Sequence, residues 1–257
     1  MYNMLKFFIF ILLFIILCIA SFSTAVLAQT QDKPASLSFD LGENNGWVPY
    51  RTGKTLAQAG ILAELAILLQ LYTDIEFEAV NWPAKRAEFA LKNGIVDFDF
   101  ICTSWFGEGN YGSQFVISEP LFEIREYVVT LKNNKQLFPN LDSIHAQAIG
   151  TIAGYFYFDD NEFIRADFRD ENNLMQALKY HRVKAVILEH ETAKYWAKVH
   201  DIEIALATPH TRGKLLIRLN KAKKSLMPAI NLAIKKIKQT GQLQMLLDKY
   251  GVEAKIF

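Results

Sequence analysis

Apolar and polar positions along the chain follow two spacings, one typical of helices and one typical of strands. Residues 56–71 place apolar side chains three and four positions apart, which predicts the first helix. Short β-rich runs at 36–41 and 75–80 predict a strand on either side of it. A second helix is predicted at 83–92 and a third strand at 96–102. This half of the chain therefore alternates strands with helices.

A second alternating set begins after a β-rich run at 127–131, which we expect to cross into it. Its predicted elements are a strand at 148–152, a helix from about residue 156, a helix at 171–181, a strand at 185–188 and a helix at 191–199. The chain is expected to return near 208–213, followed by a strand at 215–219 and amphipathic helices at 225–238 and 242–250. Alternation in both sets predicts an α/β fold with mainly parallel sheets flanked by helices.

The first 28 residues have the pattern of a secretory signal peptide and do not enter the fold prediction. Lys6 precedes an almost unbroken apolar run at 7–20, and 26–28 is a small-residue cleavage site. An uncleaved membrane anchor is the alternative, because the apolar stretch approaches the ~20 residues that a bilayer crossing needs. Hydroxyl residues between 21 and 24 interrupt the run, which favours cleavage.

Charge and cysteine content exclude several partners and sites. Lys6 is the only charged residue of the leader, so residues 29–257 have a formal net charge of zero. This balance argues against nucleic acid or an anionic membrane as the partner. Only Cys102 would remain after cleavage, which excludes an intrachain disulfide and a cysteine-rich zinc site. The five histidines lack metal-site spacing, so we expect neither a metal nor a cofactor.

The stretch 82–120 contains the most informative order of elements. A helix ended by Gly94 leads into the strand before residue 102, which is typical of a right-handed βαβ unit. The order L-x-x-G-x-V-D, strand, polar-aromatic loop and Ser118-Glu119-Pro120 resembles solute-binding protein family 3 of bacterial ABC importers. Further similar segments extend the resemblance over about 36–251, and these are 60–65, 81–87, 149–154, 184–187 and 241–251.

The resemblance implies a type II periplasmic binding protein fold, with two lobes joined by two hinge crossings. The first lobe would comprise residues 29–125 and 212–257, and the second would comprise 126–211. It also implies a monomeric, non-enzymatic protein of the periplasm. Such a protein takes up a solute in the cleft and passes it to an ABC permease of the inner membrane.

Candidate ligand contacts in the first lobe come from two segments. Trp47 fits the position where the family stacks an aromatic ring on the ligand, and Tyr50 lies in the same loop; a core role for Trp47 is the alternative. Trp82 precedes the second helix, although the related pattern has its tryptophan at Ala84. Arg86, just inside that helix, could bind a carboxylate or be a solvated charge.

The loop after the third strand departs from the family pattern. Members that bind amino acids carry an arginine where this chain has Tyr111. Either Arg86 or Arg51 therefore replaces that arginine, or the ligand is not a standard α-amino acid. Hydroxyl groups and aromatic rings remain in this loop as candidate contacts, namely Thr103, Ser104, Trp105 and Tyr111.

The second lobe offers a backbone contact and an acid. Gly154 and Tyr155 follow a strand at a predicted helix start, where N–H groups can receive an oxygen of the ligand. Glu189 follows the strand at 185–188 and matches the family's aspartate that binds the ligand's amino group; a surface acid is the alternative. An acid among aromatic rings suits an amine.

The leading hypothesis is therefore a periplasmic solute-binding protein for a small polar, amine-bearing ligand such as an amino acid. A sensing module for a membrane receptor is one alternative, and the sequence does not separate it from an importer component. The other alternative is a dehydratase-like enzyme that uses Glu189 as a general acid, which the missing loop arginine disfavours.

Overall fold

The computed structural model describes residues 34–42, 46–52 and 60–257. The predicted signal segment and the first part of the first predicted helix lie outside these ranges. Residues 35–257 form one compact unit. Within the described ranges, we find no helix that has both the length and the apolar character needed to cross a membrane.

Strands and helices alternate as the sequence pattern predicts. The strands are β1 (Ala35–Asp40), β2 (Ile75–Val80), β3 (Phe98–Cys102), β4 (Phe115–Ile117), β5 (Glu123–Leu131), β6 (Ala148–Ile152), β7 (Ile164–Phe168), β8 (Ala185–Glu189) and β9 (Ile204–Asn220). The helices are α1 (Ile61–Leu71), α2 (Ala84–Lys92), α3 (Glu171–Lys179), α4 (His190–His200), α5 (Met227–Gln239) and α6 (Gln242–Lys249).

The strands form one sheet in the order β2-β1-β3-β9-β5-β8-β6-β7, with β4 also paired to β9. β1 is parallel to β2 and β3, and β6 is parallel to β7 and β8. The antiparallel pairs involve β5 or β9, which carry the chain from one half of the sheet to the other. The α/β class is thus confirmed, and the sheet is mixed because of these two strands.

Strand β9 replaces the predicted return segment and the strand after it by one strand of 17 residues. It pairs with β5 from Glu123 opposite Lys214 to Leu131 opposite Ile204, with two register shifts. The return predicted near 208–213 does not interrupt the strand, because Pro209 and Gly213 both pair with residues of β5. The two crossings are therefore hydrogen-bonded to each other.

Buried apolar side chains form separate cores on the two sides of the paired strands β5 and β9. The first core draws on residues 37–124 and 215–252 and includes Phe39 and Ile217. The second draws on 129–197 and includes Leu174. We call the stretches that supply the first core, 37–124 and 215–252, the first half. The stretch that supplies the second core, 129–197, is called the second half. The predicted boundaries 29–125, 126–211 and 212–257 stay predictions.

The helix predicted from about residue 156 is wrong. Residues 153–163 form turns that lead into β7. The side chain of Tyr157 is buried in these turns, and its hydroxyl accepts a hydrogen bond from the backbone N–H of Ile152 at 3.0 Å. Strand β7 was not predicted. Its signal in the sequence is the alternation of Ala166 and Phe168, whose side chains pack on the second core.

Candidate functional site

A cavity of about 120 Å³ lies between the two halves. Asp40 at the end of β1 and Asp99 in β3 contribute to its wall from the first half. Glu171 at the start of α3 and Glu189 at the end of β8 contribute from the second half. Ligands of open α/β sheets bind outside the carboxyl ends of strands, and this central cavity has that location.

The wall of the central cavity is strongly acidic. Six carboxyl side chains line it, and these are Asp40, Glu88, Asp99, Glu126, Glu171 and Glu189. Arg51 is the one lysine or arginine side chain among the described lining residues. Burial raises the pKa of Asp40, of Asp99 and of Glu171 above the ordinary carboxyl value. Such a wall attracts a cation and opposes an anion.

Glu189 combines a structural contact with a place in the cavity wall. It is the N-cap of α4, and its Oε2 accepts hydrogen bonds from the N–H groups of Glu191 and Thr192, both at 2.9 Å. Its Oε1 accepts from the Tyr50 hydroxyl at 3.2 Å. Burial raises the pKa of Glu189 to about 7, although the N–H groups favour the charged form. Its charge therefore changes near neutral pH.

Arg51 connects the first half to the second half. Its Nη2 donates to the Tyr155 hydroxyl at 2.7 Å, and that hydroxyl donates to Glu171 Oε1 at 2.8 Å. Burial opposes the charge, but Tyr155, Asp40 and Glu171 hold the pKa of Arg51 above its ordinary value. Its Nε is buried without a hydrogen-bond partner among the described residues. The guanidinium therefore stays charged inside the wall.

Two further contacts bring the loops of the two halves together around the cavity. The indole N–H of Trp196 donates to the carbonyl oxygen of Gly46 at 2.7 Å. A Cβ at Gly46 would lie 2.0 Å from Glu171 Oε2, so only glycine allows this approach. The rings of Phe106 and Phe156 lie 4.9 Å apart between centroids. The two halves are thus in contact around the cavity.

A buried ion cluster supports the wall at Asp99. Arg218 is 1% exposed and donates from Nη2 to Asp99 Oδ2 at 2.7 Å and to Glu88 Oε2 at 2.8 Å. The rings of Phe106 and Phe115 lie 5.3 and 4.7 Å from its guanidinium carbon. Sequence reasoning missed Arg218, although a single charge in the apolar run 215–219 is a signal for a buried ion pair.

Six of the eleven predicted ligand contacts lie at the cavity. Five line it, namely Trp47, Trp105, Gly154, Tyr155 and Glu189. Trp47 is also 5% exposed and belongs to the first core, which agrees with the core role considered for it, and its contact with a ligand stays a prediction. Tyr50 is 1% exposed, and its hydroxyl reaches Glu189.

The other five predicted contacts do not line the central cavity. Trp82 packs on a small buried group that contains Leu91, and Arg86 is exposed. The hydroxyl of Thr103 accepts from Lys214 N at 2.9 Å, which turns it toward β9. Ser104 contacts Cys102 Sγ at 3.2 Å, and Tyr111 packs against the ring of Phe106. Their role in ligand binding stays a prediction.

Five acids of the cavity wall were not among the predicted contacts, namely Asp40, Glu88, Asp99, Glu126 and Glu171. Asp40 ends β1 and Glu171 begins α3, and acids at such places are a usable signal. Among the described residues, no group of three or more His, Cys, Asp or Glu side chains could hold a metal ion.

The model of the bacterial extracellular solute-binding proteins, family 3, matches residues 41–253. A comparison with curated proteins found no match.

Solved structures share the fold at low sequence identity. An amino acid ABC transporter substrate-binding protein from Streptococcus pneumoniae, bound to L-arginine, is 18% identical with a TM-score of 0.68, over 84% of this chain and 94% of that chain. An ancestral arginine-binding protein bound to arginine is 20% identical with a TM-score of 0.70, over 85% and 99%. An ABC uptake transporter substrate binding protein from S. pneumoniae with bound histidine is 15% identical with a TM-score of 0.66, over 86% and 93%.

Proposed function

Because the chain belongs to the bacterial extracellular solute-binding proteins, family 3, we propose that its solute is a small amine-bearing molecule held in the central cavity. The charge of the wall supports this most directly, since its six carboxyl groups outnumber the cationic side chains near them, which include Arg51, Arg218 and His210. Trp47 and Trp105 add aromatic faces, which attract ammonium groups. A bare carboxylate or a neutral sugar would gain little from this wall.

Amino acids and related amines are the solute class that fits this wall. Two of the compared structures hold arginine and one holds histidine. Each of these ligands carries an amino group that an acidic wall can bind. Delivery to an ABC permease after export through the predicted signal peptide completes the proposed role, with the periplasm as its location.

Binding is proposed to couple to closure of the two halves about β5 and β9, which is a usual two-state change around a ligand. The contacts of Arg51 with Tyr155 and of Trp196 with Gly46 would break when the halves separate. Solution scattering tests this step, because ligand should reduce the radius of gyration. An unchanged profile at saturation would mean that the halves do not move.

Calorimetry on residues 29–257 tests the proposed solute class. We expect amines and amino acids to bind, and the matching alcohols and acids without an amino group not to bind. Glu189→Gln should weaken amine binding by about tenfold or more, because hydrogen bonds to charged groups contribute about 1.5–3 kcal/mol. Glu203→Gln is the matched control, since Glu203 is an exposed acid whose partner is Lys132.

The proposed solute class would be wrong if neutral or anionic solutes bound and no amine did. Equal amine affinity in wild type and Glu189→Gln would remove Glu189 from the site and leave the amine to another acid of the wall. A thermal-shift screen is the practical first step, because ligand at 1,000 times its Kd adds about 4 kcal/mol to stability.

A further inference from the structure

We propose that Arg51 occupies one cation subsite of the central cavity with its own guanidinium and thereby restricts the solute to a single ammonium group. This inference rests on the proposed function and names the charge that the solute carries.

The surroundings of Arg51 are those of a bound cation. Its guanidinium carbon lies 5.2 Å from the ring centroid of Trp47 and 6.0 Å from that of Tyr155. The Tyr155 hydroxyl accepts from Nη2 and passes a hydrogen bond to Glu171. Asp40 and Glu171 supply opposite charge. Two aromatic faces, an oxygen acceptor and two carboxyl groups would bind a free guanidinium or ammonium equally well.

The backbone delivers the guanidinium to this subsite. The N–H of Arg51 donates to the carbonyl of Trp47 at 2.8 Å, and the preceding Tyr50 is buried with its hydroxyl on Glu189. Gly42 leaves room for the side chain, since a Cβ there would lie 2.9 Å from Arg51 Nη1. A tethered group has a high effective concentration, so a dissolved cation competes poorly with it.

Pairing of the remaining acids explains why one further positive charge fits. Arg218 donates to both Asp99 and Glu88. Glu126 Oε2 lies 3.8 Å from Nδ1 of His210. Together with Asp40 and Glu171 around Arg51, five of the six acids have a cationic neighbour. Asp40 and Glu171 interact electrostatically with Arg51 without an ion-pair contact, whereas no lysine, arginine or histidine of the described residues is among the main influences on the pKa of Glu189.

Two consequences follow for binding. A solute with one ammonium group can meet Glu189, whereas a diamine would place its second charge beside Arg51 and be repelled. Removal of the Arg51 side chain should vacate the subsite, which would then take a free guanidinium or the second charge of a diamine.

Chemical rescue of Arg51→Ala tests the subsite without knowledge of the natural solute. Methylguanidinium at low millimolar concentration should bind Arg51→Ala in calorimetry and raise its melting temperature. Wild type and Arg182→Ala, in which Arg51 fills the subsite, should show a much weaker effect; Arg182 is exposed and does not line the cavity. If Arg51→Ala folds poorly, Arg51→Gln is titrated in the same way, with circular dichroism as the check on folding.

A paired-ligand titration tests specificity. Wild type should bind pentylamine about tenfold or more tightly than 1,5-diaminopentane, because like charges brought together cost several kcal/mol. Arg51→Ala should lose this preference. The proposal is overturned if wild type binds both equally, or if folded Arg51→Ala and Arg51→Gln take up no methylguanidinium.

A comparison of amino acids with their decarboxylated amines separates Arg51 as internal cation from Arg51 as a carboxylate ligand. Selective loss of the carboxylate-bearing member in Arg51→Ala would overturn the proposal in favour of the second role. If no amine binds wild type but methylguanidinium binds Arg51→Ala, the subsite stands and the proposed solute class fails.

Discussion

At the scale of single residues, Glu189 connects the acidity of the solution to ligand binding. Burial raises the pKa of its carboxyl to about 7, so protonation near neutrality removes the negative charge that an amine would contact. We expect the affinity for an amine to fall as the pH is lowered from about 8 to about 6. Calorimetry across this range, with a ligand amine that stays protonated throughout, measures the effect.

Glu189→Gln provides the control for this pH dependence. The amide oxygen can still accept N–H groups at the start of α4, so the helix cap is partly kept. Its amine affinity should be weaker and nearly independent of pH in this range. A flat profile in wild type would show that the carboxyl does not contact the amine.

Arg218 illustrates a different residue-scale effect, the cost of an unpaired buried charge. Arg218→Met would leave Asp99 and Glu88 without the guanidinium that both contact. We expect a loss of about 3–5 kcal/mol in the free energy of unfolding, as for other buried pairs that lose one partner. Urea unfolding measures this.

Lys132→Met is the control for Arg218→Met, because Lys132 also pairs with an acid, Glu203, but both side chains of that pair are exposed. Exposed pairs contribute little, so stability should hardly change. Equal effects of the two substitutions would contradict the structural role assigned to the buried cluster.

At the scale of elements, Gly213 determines how β9 meets the loop after β3. A Cβ at Gly213 would lie 2.6 Å from Cys102 Sγ and 2.7 Å from Ser104 N. Gly213→Val should therefore destabilise the protein by about 1–3 kcal/mol, the usual cost of overpacking. It should also weaken solute binding, because Trp105 of this loop lines the cavity. Urea unfolding and calorimetry measure the two effects.

Gly107→Ala serves as the comparison for Gly213→Val, since a Cβ at Gly107 would have nothing within 4 Å. Gly107 belongs to the loop itself and Gly213 to β9, but only at Gly213 would an added Cβ lie too close to other atoms of this region. Stability unchanged by Gly213→Val would show that the loop can shift without cost.

The local sequence pattern was sufficient to predict most helices and strands. It was insufficient where pairing with a strand far away along the chain determines how long an element is. The predicted strand at 75–80 matches β2 (Ile75–Val80), because alternation and β-branched residues act locally. Strand β9 continues through Pro209 and Gly213 because β5 pairs with it, which no local pattern reveals. The edge strand β7 was missed although it has a local signal, the alternation of Ala166 and Phe168.

The same reasoning applies to the cavity. Trp47, Tyr155 and Glu189 were found because a family pattern attaches a role to their positions along the chain. Arg218 and Glu88 are 130 positions apart, so only the folded chain shows that they share a cluster.

At the scale of the whole molecule, a buried histidine makes stability depend on pH. His210 in β9 lies with Nε2 3.0 Å from Asp159 and Nδ1 3.8 Å from Glu126. Burial opposes its charge, but these two acids outweigh burial and raise the pKa of His210 to about 9. The native state therefore holds this proton more tightly than the unfolded chain does.

The sign of the effect follows from linkage. The contribution of His210 is complete below its unfolded pKa of about 6.5 and is lost as pH rises through about 9, so the free energy of unfolding should fall over this interval. Urea unfolding at several pH values measures the slope. His210→Asn should remove most of it. A wild-type stability that rises from pH 7 to about pH 9 would contradict the charged histidine.

The pairing of the two crossing strands, β5 and β9, affects how genes that encode related proteins can recombine. The second core is built from one uninterrupted stretch, whereas the first core needs chain from both sides of that stretch. A single recombination breakpoint between two related genes would therefore join mismatched parts of the first core. Two breakpoints, near Glu126 and Thr211, would replace the second half as a cassette. These two residues face each other across β5 and β9, so the ends of an incoming cassette would already be neighbours.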